Sequence, residues 1–332
     1  MNASKPMVIE ARAKTYALKR PFRIASSLYV DAPVVEVTVR HDGVAGRGEA
    51  AGVDYVGENC AIMLEQIQQV ASQIDATTRP SRAWLKPLLP PGGARNALDC
   101  ALWDLEAKHS GVRAHDLVGQ SGDGIVTHIT IGLDTPEVMA KDALSFGERA
   151  LIKIKLGSEN TRDCLRAVRA AAPTAQIIVD ANQSWTFEQL LAMEGDLLAN
   201  GVTLVEQPLA ADADDGLLDY TGPLRLCADE SSHDRSSLAA LAGKYSVINI
   251  KLDKTGGLTE AMALADAASA KGFGLMVGCM GGSSLGIAPA LIVAAKCEIV
   301  DLDCPLQLRQ DIAHGLHFSG HRISGPSPSL WG

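Results

Sequence analysis

The second half of the chain repeats one pattern: a short apolar run rich in β-branched residues, followed by an alanine-rich amphipathic stretch. The distances between successive strand ends are 25, 26, 23 and 22 residues, from Lys155 through Asp180, Glu206 and Asp229 to Lys251. A unit of this length holds one strand and one helix, and eight such units close a barrel of parallel strands. We therefore predict an α/β fold of the TIM-type (β/α)-barrel class.

Eight runs in this part of the chain have the length and composition of buried strands. They are residues 128–133, 151–155, 176–180, 202–206, 224–229, 247–251, 274–278 and 298–303. Between them, amphipathic stretches that end near a Gly, Pro or Asn predict helices. The clearest of these helices are residues 161–172, 186–200 and 258–271.

The N-terminal third has a different pattern. Alternating segments at 34–40 and 45–50 indicate strands, and 59–74 and 93–108 indicate helices, which together predict a small α+β domain. The tail is polar and too short to form a domain, so we expect it to pack back on the N-terminal part. The predicted parts are an α+β domain at 1–118, a catalytic barrel at 119–307 and a C-terminal segment at 308–332.

Composition excludes several classes of partner. The 332 residues contain 30 Lys and Arg against 39 Asp and Glu, a net charge of -9, which argues against nucleic acid and against an anionic membrane surface. No apolar stretch has the length of a membrane span. Seven cysteines occur without a CxxC pair, which favours reduced thiols over a disulfide framework or a zinc site. We expect a soluble, cytoplasmic protein.

Carboxylates end three adjacent predicted strands, at Asp180, Glu206 and Asp229. In a β/α barrel the catalytic residues lie at the C-terminal ends of the strands. Three carboxylates that converge there raise one another's pKa values unless a cation lies among them, and oxygen ligands suit Mg²⁺, or else Mn²⁺, better than Zn²⁺. Any one of them alone could instead cap the helix that follows. Three at successive strand ends favour a metal site.

Lysines occupy the neighbouring positions. Lys153 and Lys155 point to the same face of one strand, and Lys251 ends a strand four positions further round the ring. A substrate carboxylate on the metal would hold its α-carbon between Lys155 and Lys251. One lysine would remove the α-proton, giving an enediolate whose charge a divalent cation stabilises, and the other would return a proton to the opposite face. A structural lysine paired with a carboxylate is the alternative for each.

Together these residues closely resemble the signatures of the enolase superfamily, specifically its muconate-lactonizing subgroup. The matching segments are Lys153-x-Lys155, Asp180-Ala181-Asn182, Glu206-Gln207-Pro208, Ala228-Asp229-Glu230-Ser231, Asn249-Ile250-Lys251, Gly46-Arg47-Gly48-Glu49 and Arg95-Asn96-Ala97-Leu98-Asp99. The resemblance covers essentially the whole chain and implies that the N-terminal domain caps the barrel. Cycloisomerases, o-succinylbenzoate synthases and N-acylamino acid racemases share the same metal and lysines, so the scaffold implies only the half-reaction.

A further acidic pair, Asp301 and Asp303, ends the eighth predicted strand. In the dipeptide epimerases of this superfamily an Asp-x-Asp at this place receives the substrate α-ammonium. The resemblance therefore implies an Mg²⁺-dependent epimerase of L-Ala-D/L-Glu, a murein-derived dipeptide, with inversion at the second residue. An N-acylamino acid racemase or o-succinylbenzoate synthase lacks an ammonium group to bind. A solvated acidic loop, or a barrel that binds without catalysis, remains open as well.

The resemblance also suggests residues that line the substrate. Thr130, Cys279 and Met280 match substrate-lining positions, and Arg23 is the cation that we nominate for the glutamate side chain, with Arg20 second. We expect the loop at 52–59 to cover the site. The resemblance implies a small dipeptide as the partner and is compatible with a homo-oligomer.

Overall fold

The computed structural model describes residues 7–75, 78–79, 81–120, 124–147 and 150–332. Its strands are β1 (Val8–Arg23), β2 (Leu28–His41), β3 (Val44–Ala50), β4 (Ile125–Val126), β5 (Ile129–Ile131), β6 (Leu151–Lys155), β7 (Gln176–Asp180), β8 (Val202–Glu206), β9 (Leu226–Ala228), β10 (Val247–Ile250), β11 (Gly274–Val277), β12 (Ile299–Val300), β13 (Phe318–Ser319) and β14 (Arg322–Ile323). Its α-helices are α1 (Cys60–Ala71), α2 (Arg82–Leu85), α3 (Gly93–Ser110), α4 (Ala114–Leu117), α5 (Pro136–Ser145), α6 (Thr161–Ala171), α7 (Phe187–Ala199), α8 (Leu238–Leu241), α9 (Leu252–Thr255), α10 (Leu258–Ala270), α11 (Ser284–Ile287), α12 (Ala290–Ala294) and α13 (Cys304–Gln307). Within these described ranges no helix combines the length and apolar character needed to cross a membrane.

An antiparallel sheet in the order β1-β2-β3 forms the N-terminal domain, with α3 packed directly on β3. Two glycines of β3 make this close approach possible. A Cβ on Gly46 would lie 2.1 Å from the carbonyl oxygen of Ala101, and one on Gly48 would lie 2.1 Å from that of Ala97. Because both obstacles are helix backbone, a side chain at either position would force the helix away from the sheet.

The sequence pattern did not predict β1, the longest strand of this sheet. It pairs antiparallel with β2 from Val8 to Arg23, with a register irregularity between Ala17 and Phe22. Only Tyr16 and Leu18 of its side chains are buried. A strand that is exposed on both faces over most of its length lacks the alternation by which strands are recognised in a sequence.

The barrel prediction is confirmed. Eight parallel strands follow in the order β5 to β12, and each lies within one of the eight predicted runs. A hydrogen bond of 2.8 Å from the His128 amide to the Val300 carbonyl joins the first strand's segment to the last. Five of these strands are shorter than predicted, and among them β9 ends at Ala228 and β12 at Val300. The acidic residues that follow them therefore lie in loops beyond the strand ends.

Below the mouth, the barrel is filled by apolar side chains. Each of the six strands from β7 to β12 contributes one buried residue to a single cluster, formed by Ile178, Leu204, Cys227, Val247, Met276 and Ile299. Filling the interior in this way makes the barrel a packed core rather than a pore. It leaves the C-terminal ends of the strands as the place for polar chemistry.

The C-terminal segment contacts both parts of the molecule. Leu308 forms a bridge with Leu18 of β1, and the Trp331 indole N–H donates to the Cys100 carbonyl of α3 at 3.0 Å. Its hairpin β13–β14 instead pairs with β4, which precedes the first barrel strand. The limits of 1–118, 119–307 and 308–332 remain a prediction.

Candidate active site

Strand register lines up the first three charged residues. Lys155 is the partner of Asp180 between β6 and β7, and Asp180 is the partner of Glu206 between β7 and β8. All three end their strands, above the apolar residues that fill the barrel. Asp229 and Lys251 follow β9 and β10 directly and continue the arc.

Asp180 is fully buried between two ammonium groups. Its Oδ2 atom lies 2.6 Å from Lys155 Nζ and 3.1 Å from Lys153 Nζ, and its Oδ1 atom accepts the Asn182 N–H at 2.9 Å. Burial alone would raise the pKa of Asp180, but Lys155 and Lys153 lower it to about 2. This carboxylate is therefore ionised at any physiological pH.

Glu206 has less cationic support. Its Oε1 atom accepts the Asn249 side-chain N–H at 2.8 Å, and Lys153 Nζ lies 2.7 Å from Oε2. Burial and the neighbouring charge of Asp180 raise the pKa of Glu206 to about 7. A carboxylate at this position lacks a positive charge that a bound cation would supply.

Asp229 is held by two lysines. Lys251 Nζ lies 2.6 Å from its Oδ2 atom, and Lys254 Nζ lies 2.6 Å from its Oδ1 atom and also donates to its backbone carbonyl. Burial opposes ionisation, but Lys251 and Lys254 together lower the pKa of Asp229 far below its usual range. Sequence reasoning missed the contact of Lys254, which sits three residues after Lys251 on α9 and so turns back toward the strand end.

The three carboxylates fit a hydrated divalent cation. One oxygen from each of Asp180, Glu206 and Asp229 lies within 4.8 Å of the others, and all three residues are buried. Beside them, the side-chain oxygens Asn182 Oδ1 and Glu230 Oε2 are buried without a hydrogen-bond donor. Metal-bound waters could donate to these acceptors, which suits Mg²⁺ because that ion usually keeps several waters. The donor set thus agrees with the predicted Mg²⁺ site.

Gln207 is a positioning residue that the sequence motif did not explain. Its Oε1 atom accepts the backbone N–H groups of Asp229 and Ser231, at 2.9 and 3.1 Å, and its Nε2 atom donates to the Tyr245 hydroxyl at 2.8 Å. The Tyr245 hydroxyl in turn donates to Asp214 at 2.8 Å. This buried network fixes the loop that carries the third carboxylate.

The acidic pair after β12 is connected to the triad through Lys153, which is only 2% exposed. Lys153 Nζ lies 2.7 Å from Asp301 Oδ2, and the Thr130 hydroxyl donates to Asp301 Oδ1 at 3.0 Å. Asp303 Oδ2 accepts the backbone N–H of Thr130 at 2.8 Å. Thr130 therefore holds both carboxylates on one side of the mouth.

The two members of this pair differ in charge balance. Burial favours the neutral form of Asp301, but the charge of Lys153 outweighs burial and lowers the pKa of Asp301. Burial and the charge of Asp301 raise the pKa of Asp303 to about 7. Within the described residues no ammonium contacts Asp303, whereas Glu206 shares the Lys153 ammonium with Asp180 and Asp301, so both carboxyls lack a full positive charge of their own.

Of the remaining predicted substrate residues, Cys279 and Met280 follow β11 beside this pair. The Cys279 thiol donates to the Asp301 carbonyl at 3.4 Å, and the Met280 carbonyl accepts the Cys304 thiol at 2.8 Å. Arg23 is exposed at the end of β1, and its carbonyl accepts the N–H of Leu133 at 2.8 Å, just beyond barrel strand β5. The turn after β1 thus reaches the rim of the barrel.

The cap approaches the mouth at two further points. Arg20 is engaged in a two-bond salt bridge with Asp142 on α5, whereas Arg23 has no ion pair or side-chain hydrogen bond within the described ranges. The loop that begins at Gly52 is anchored by its N–H to Asp253 at 2.9 Å. Burial and the charge of Asp229 raise the pKa of Tyr55, which belongs to this loop.

A capped β/α barrel with three buried carboxylates between two lysines defines a class of enzyme that moves protons at carbon next to a carboxylate. Two family descriptions match the chain: "Mandelate racemase / muconate lactonizing enzyme, N-terminal domain" over residues 8–119, and "Enolase C-terminal domain-like" over residues 139–322. The chain belongs to the mandelate racemase and muconate-lactonizing branch of the enolase superfamily, as its sequence signatures implied.

Two relatives of known activity indicate the type of reaction. An L-Ala-D/L-Glu epimerase from Escherichia coli (strain K12) is 42% identical over 309 residues, which cover 92% of this chain and 96% of that protein. An N-acetyl-D-glutamate racemase from Pseudoalteromonas sp is 40% identical over 287 residues, which cover 86% and 91%. The chain is thus a racemase/epimerase, an isomerase, related to the dipeptide epimerases.

Solved structures agree with this placement. An enolase family member from Agrobacterium tumefaciens with homology to dipeptide epimerases, with bound sodium and L-Ala-L-Glu, has a TM-score of 0.95 at 42% identity and covers 98% of this chain and 100% of its own. A dipeptide epimerase from Enterococcus faecalis V583, complexed with Mg and L-Leu-L-Tyr, has a TM-score of 0.90 at 28% identity and covers 98% and 99%.

Proposed function

We propose that this protein is an Mg²⁺-dependent epimerase of L-Ala-D/L-Glu that inverts the α-carbon of the second residue. The observation that carries the proposal is the charge distribution around Lys153. Its single ammonium contacts Asp180, Glu206 and Asp301, at 3.1, 2.7 and 2.7 Å. Negative charge therefore remains in excess on both sides of it, at Glu206 and at Asp303. A divalent cation on one side and a substrate ammonium on the other would balance the site.

The side of the site that holds the metal carboxylates would bind the α-carboxylate end of the substrate. Asp180, Glu206 and Asp229 would hold Mg²⁺, or Mn²⁺ in its place, and the relative with bound Mg supports this assignment. When bound, the cation supplies positive charge beside the substrate carboxylate, where negative charge develops as the α-proton leaves. The lysine-bound outer carboxylates keep their own charge, so the triad stays ready to bind a cation.

Lys155 and Lys251 would transfer the protons. They are anchored at opposite ends of the triad, 2.6 Å from Asp180 and 2.6 Å from Asp229 respectively. An α-carbon held above the triad has one lysine on each face. One amine would take the proton from its face and the other ammonium would deliver a proton to the opposite face, which inverts the centre. Lys153 would balance charge without receiving the α-proton, because it contacts carboxylates on both sides.

The opposite side of the site, formed by Asp301 and Asp303 and called the ammonium side below, would select a dipeptide. Asp301 and Asp303 face the substrate from the loop after β12, and Thr130 orients both. An ammonium placed there would ionise Asp303 and satisfy its charge. Cys279 and Met280 line the same loops, and Arg23 at the rim is the cation that we assign to the glutamate side-chain carboxylate.

One second candidate has a specific observation in its favour. The relative from Pseudoalteromonas sp, at 40% identity, is an N-acetyl-D-glutamate racemase, and its substrate carries the same glutamate but no ammonium. The half-reaction and the metal would be the same. The acidic pair favours the dipeptide, because an acetyl group would leave Asp303 buried next to Asp301 without a cation.

Deuterium exchange followed by NMR separates these candidates. The purified protein is incubated in D₂O with L-Ala-L-Glu, L-Ala-D-Glu, N-acetyl-glutamate or N-succinyl amino acids, each with Mg²⁺ and with EDTA. We expect metal-dependent deuterium at the α-carbon of the dipeptide glutamate. Exchange confined to the N-acyl compounds would reject the dipeptide assignment and retain the two lysines, whereas no exchange with any substrate would favour a binding protein.

The cellular setting follows from the substrate. A dipeptide of alanine and glutamate is a fragment of murein, so we assign the protein to murein peptide breakdown. Its seven unpaired cysteines are compatible with a reducing, cytoplasmic compartment.

A further inference from the structure

Two cysteines from neighbouring loops meet beside the acidic pair. Cys279 follows β11 and Cys304 begins α13, and their sulfur atoms lie 2.8 Å apart. Both residues are partly exposed, unlike the buried Cys100, Cys164 and Cys227. No other two cysteine sulfurs make contact within the ranges that the structure describes.

The surroundings hold the two thiols in register. The Cys304 thiol donates to the Met280 carbonyl at 2.8 Å, and the Cys279 thiol donates to the Asp301 carbonyl at 3.4 Å. Each sulfur is therefore anchored to the loop that carries the other. To reach the S–S bond length of about 2.05 Å, the sulfurs need to approach by less than roughly 1 Å, a shift that two adjacent loops can absorb.

We propose that Cys279 and Cys304 are a reversible oxidation site, whose disulfide displaces Asp303 and closes the ammonium side of the substrate site. The oxidant class is a small-molecule disulfide such as oxidised glutathione. One cysteine thiolate attacks it, forms a mixed disulfide and releases one thiol. The second cysteine then displaces the other thiol. Two protein thiols are oxidised, one disulfide is reduced to two thiols, and the thiol protons pass to water or to the leaving thiols.

Cys279 is the better attacking group. The contact with the Cys279 sulfur and burial raise the pKa of Cys304 well above its ordinary value, so Cys304 stays protonated and acts as the second, resolving thiol. The order of events does not change the product, which links the loop after β11 to the loop after β12.

The consequence for the site follows from chain connectivity. Asp303 is bonded directly to Cys304, and its carboxylate is placed by the Thr130 N–H at 2.8 Å. Pulling Cys304 toward Cys279 moves Asp303 relative to Thr130. A displacement approaching about 1 Å in a group that positions substrate can lower kcat/KM by as much as about 100-fold. The metal carboxylates end β7 and β8 or directly follow β9, and none is linked to either cysteine, so metal affinity should be unchanged.

The test uses the full-length protein treated with oxidised glutathione and analysed by non-reducing peptide mapping. We expect a peptide linked through Cys279 and Cys304, two of the seven thiols lost, and recovery with dithiothreitol. kcat/KM for L-Ala-L-Glu should fall by about 10- to 100-fold on oxidation, with Mn²⁺ affinity unchanged by electron paramagnetic resonance.

Variants make the test specific. Cys279→Ser, which removes the attacking thiol, should show the same kcat/KM before and after oxidation, whatever its own starting value. Cys297→Ser, which removes a partly exposed cysteine outside the pair, should respond as the wild type does. The proposal is overturned if the linked peptide does not form, or if it forms without a change in kcat/KM. The activity effect rests on the proposed function, but the mapping and thiol count need no substrate, so the two failures are distinguishable.

Discussion

Replacing Asp303 with Asn removes the charge of the proposed ammonium site with almost no change in shape. Asp303 is 3% exposed, and Asn can still accept the Thr130 N–H at 2.8 Å. A hydrogen bond to a charged group contributes about 1.5 to 3 kcal/mol. We therefore expect kcat/KM for L-Ala-L-Glu to fall by about 10- to 150-fold. N-acetyl-glutamate has no ammonium, so its exchange should be unchanged or improved.

The assay is α-proton exchange in D₂O at saturating Mg²⁺, with both substrates and with a matched control. Asp266→Asn changes the same group at an outer position whose side chain is 68% exposed, and it should affect neither substrate. An equal loss with both substrates would show that Asp303 supports the barrel or the lysines instead. No loss with the dipeptide would remove the ammonium site from the mechanism.

The same site predicts a pH profile. Burial and Asp301 raise the pKa of Asp303 to about 7, and only the ionised form binds an ammonium strongly. kcat/KM for the dipeptide should therefore rise as the pH increases from 6 to 8, and Asp303→Asn should lose this part of the rise. A wild-type profile that is identical for the dipeptide and for N-acetyl-glutamate would contradict the assignment.

Three further predictions test the lysines, the cap and the packing of the cap. Lys155→Ala and Lys251→Ala should each abolish epimerisation, yet each should still exchange the α-proton of one epimer, and NMR showing the same epimer for both would refute the two-face mechanism. Burial raises the pKa of Glu49 to about 7, above an unfolded value of about 4.3, so the folded state holds the proton more tightly. The free energy of unfolding should fall by up to about 3 kcal/mol as the pH rises from 4.3 to 7, and urea unfolding of Glu49→Gln should lack this loss. Gly48→Ala should lower the free energy of unfolding by about 1 to 3 kcal/mol or more, because the added Cβ would lie 2.1 Å from a helix carbonyl. Gly195→Ala, where nothing lies within 4 Å, should raise it by about 0.5 to 1 kcal/mol, as measured by urea unfolding.

The repeated strand and helix pattern in the sequence was sufficient to predict the barrel fold. Each β/α unit is recognisable locally, since a buried parallel strand reads as an apolar run and its helix as a 3.6-residue period. The charged residue at the end of such a run is visible in the same way. Strand register then brings Lys155, Asp180 and Glu206 into line without any knowledge of the loops.

The N-terminal sheet was harder to predict from the sequence. β1 is exposed on both faces over most of its length, so it has no alternating pattern, and it exists because β2 offers it a hydrogen-bonding edge. Its last turn reaches the barrel rim at Leu133, which no local pattern of residues 8–23 indicates. Pairing with a distant partner is a property of the folded chain.

The contacts of the proposed active site also fall into two groups: those that follow from local sequence and those that depend on tertiary structure. Residue types and their spacing along one strand are local, so the sequence alone could nominate the triad, Lys155 and Lys251. The second lysine on Asp229, the Gln207 network and the meeting of Cys279 with Cys304 depend on which loops come together above the barrel. Loops adopt their positions by packing and hydrogen bonding across long sequence separations, and these interactions form only when the whole chain is folded.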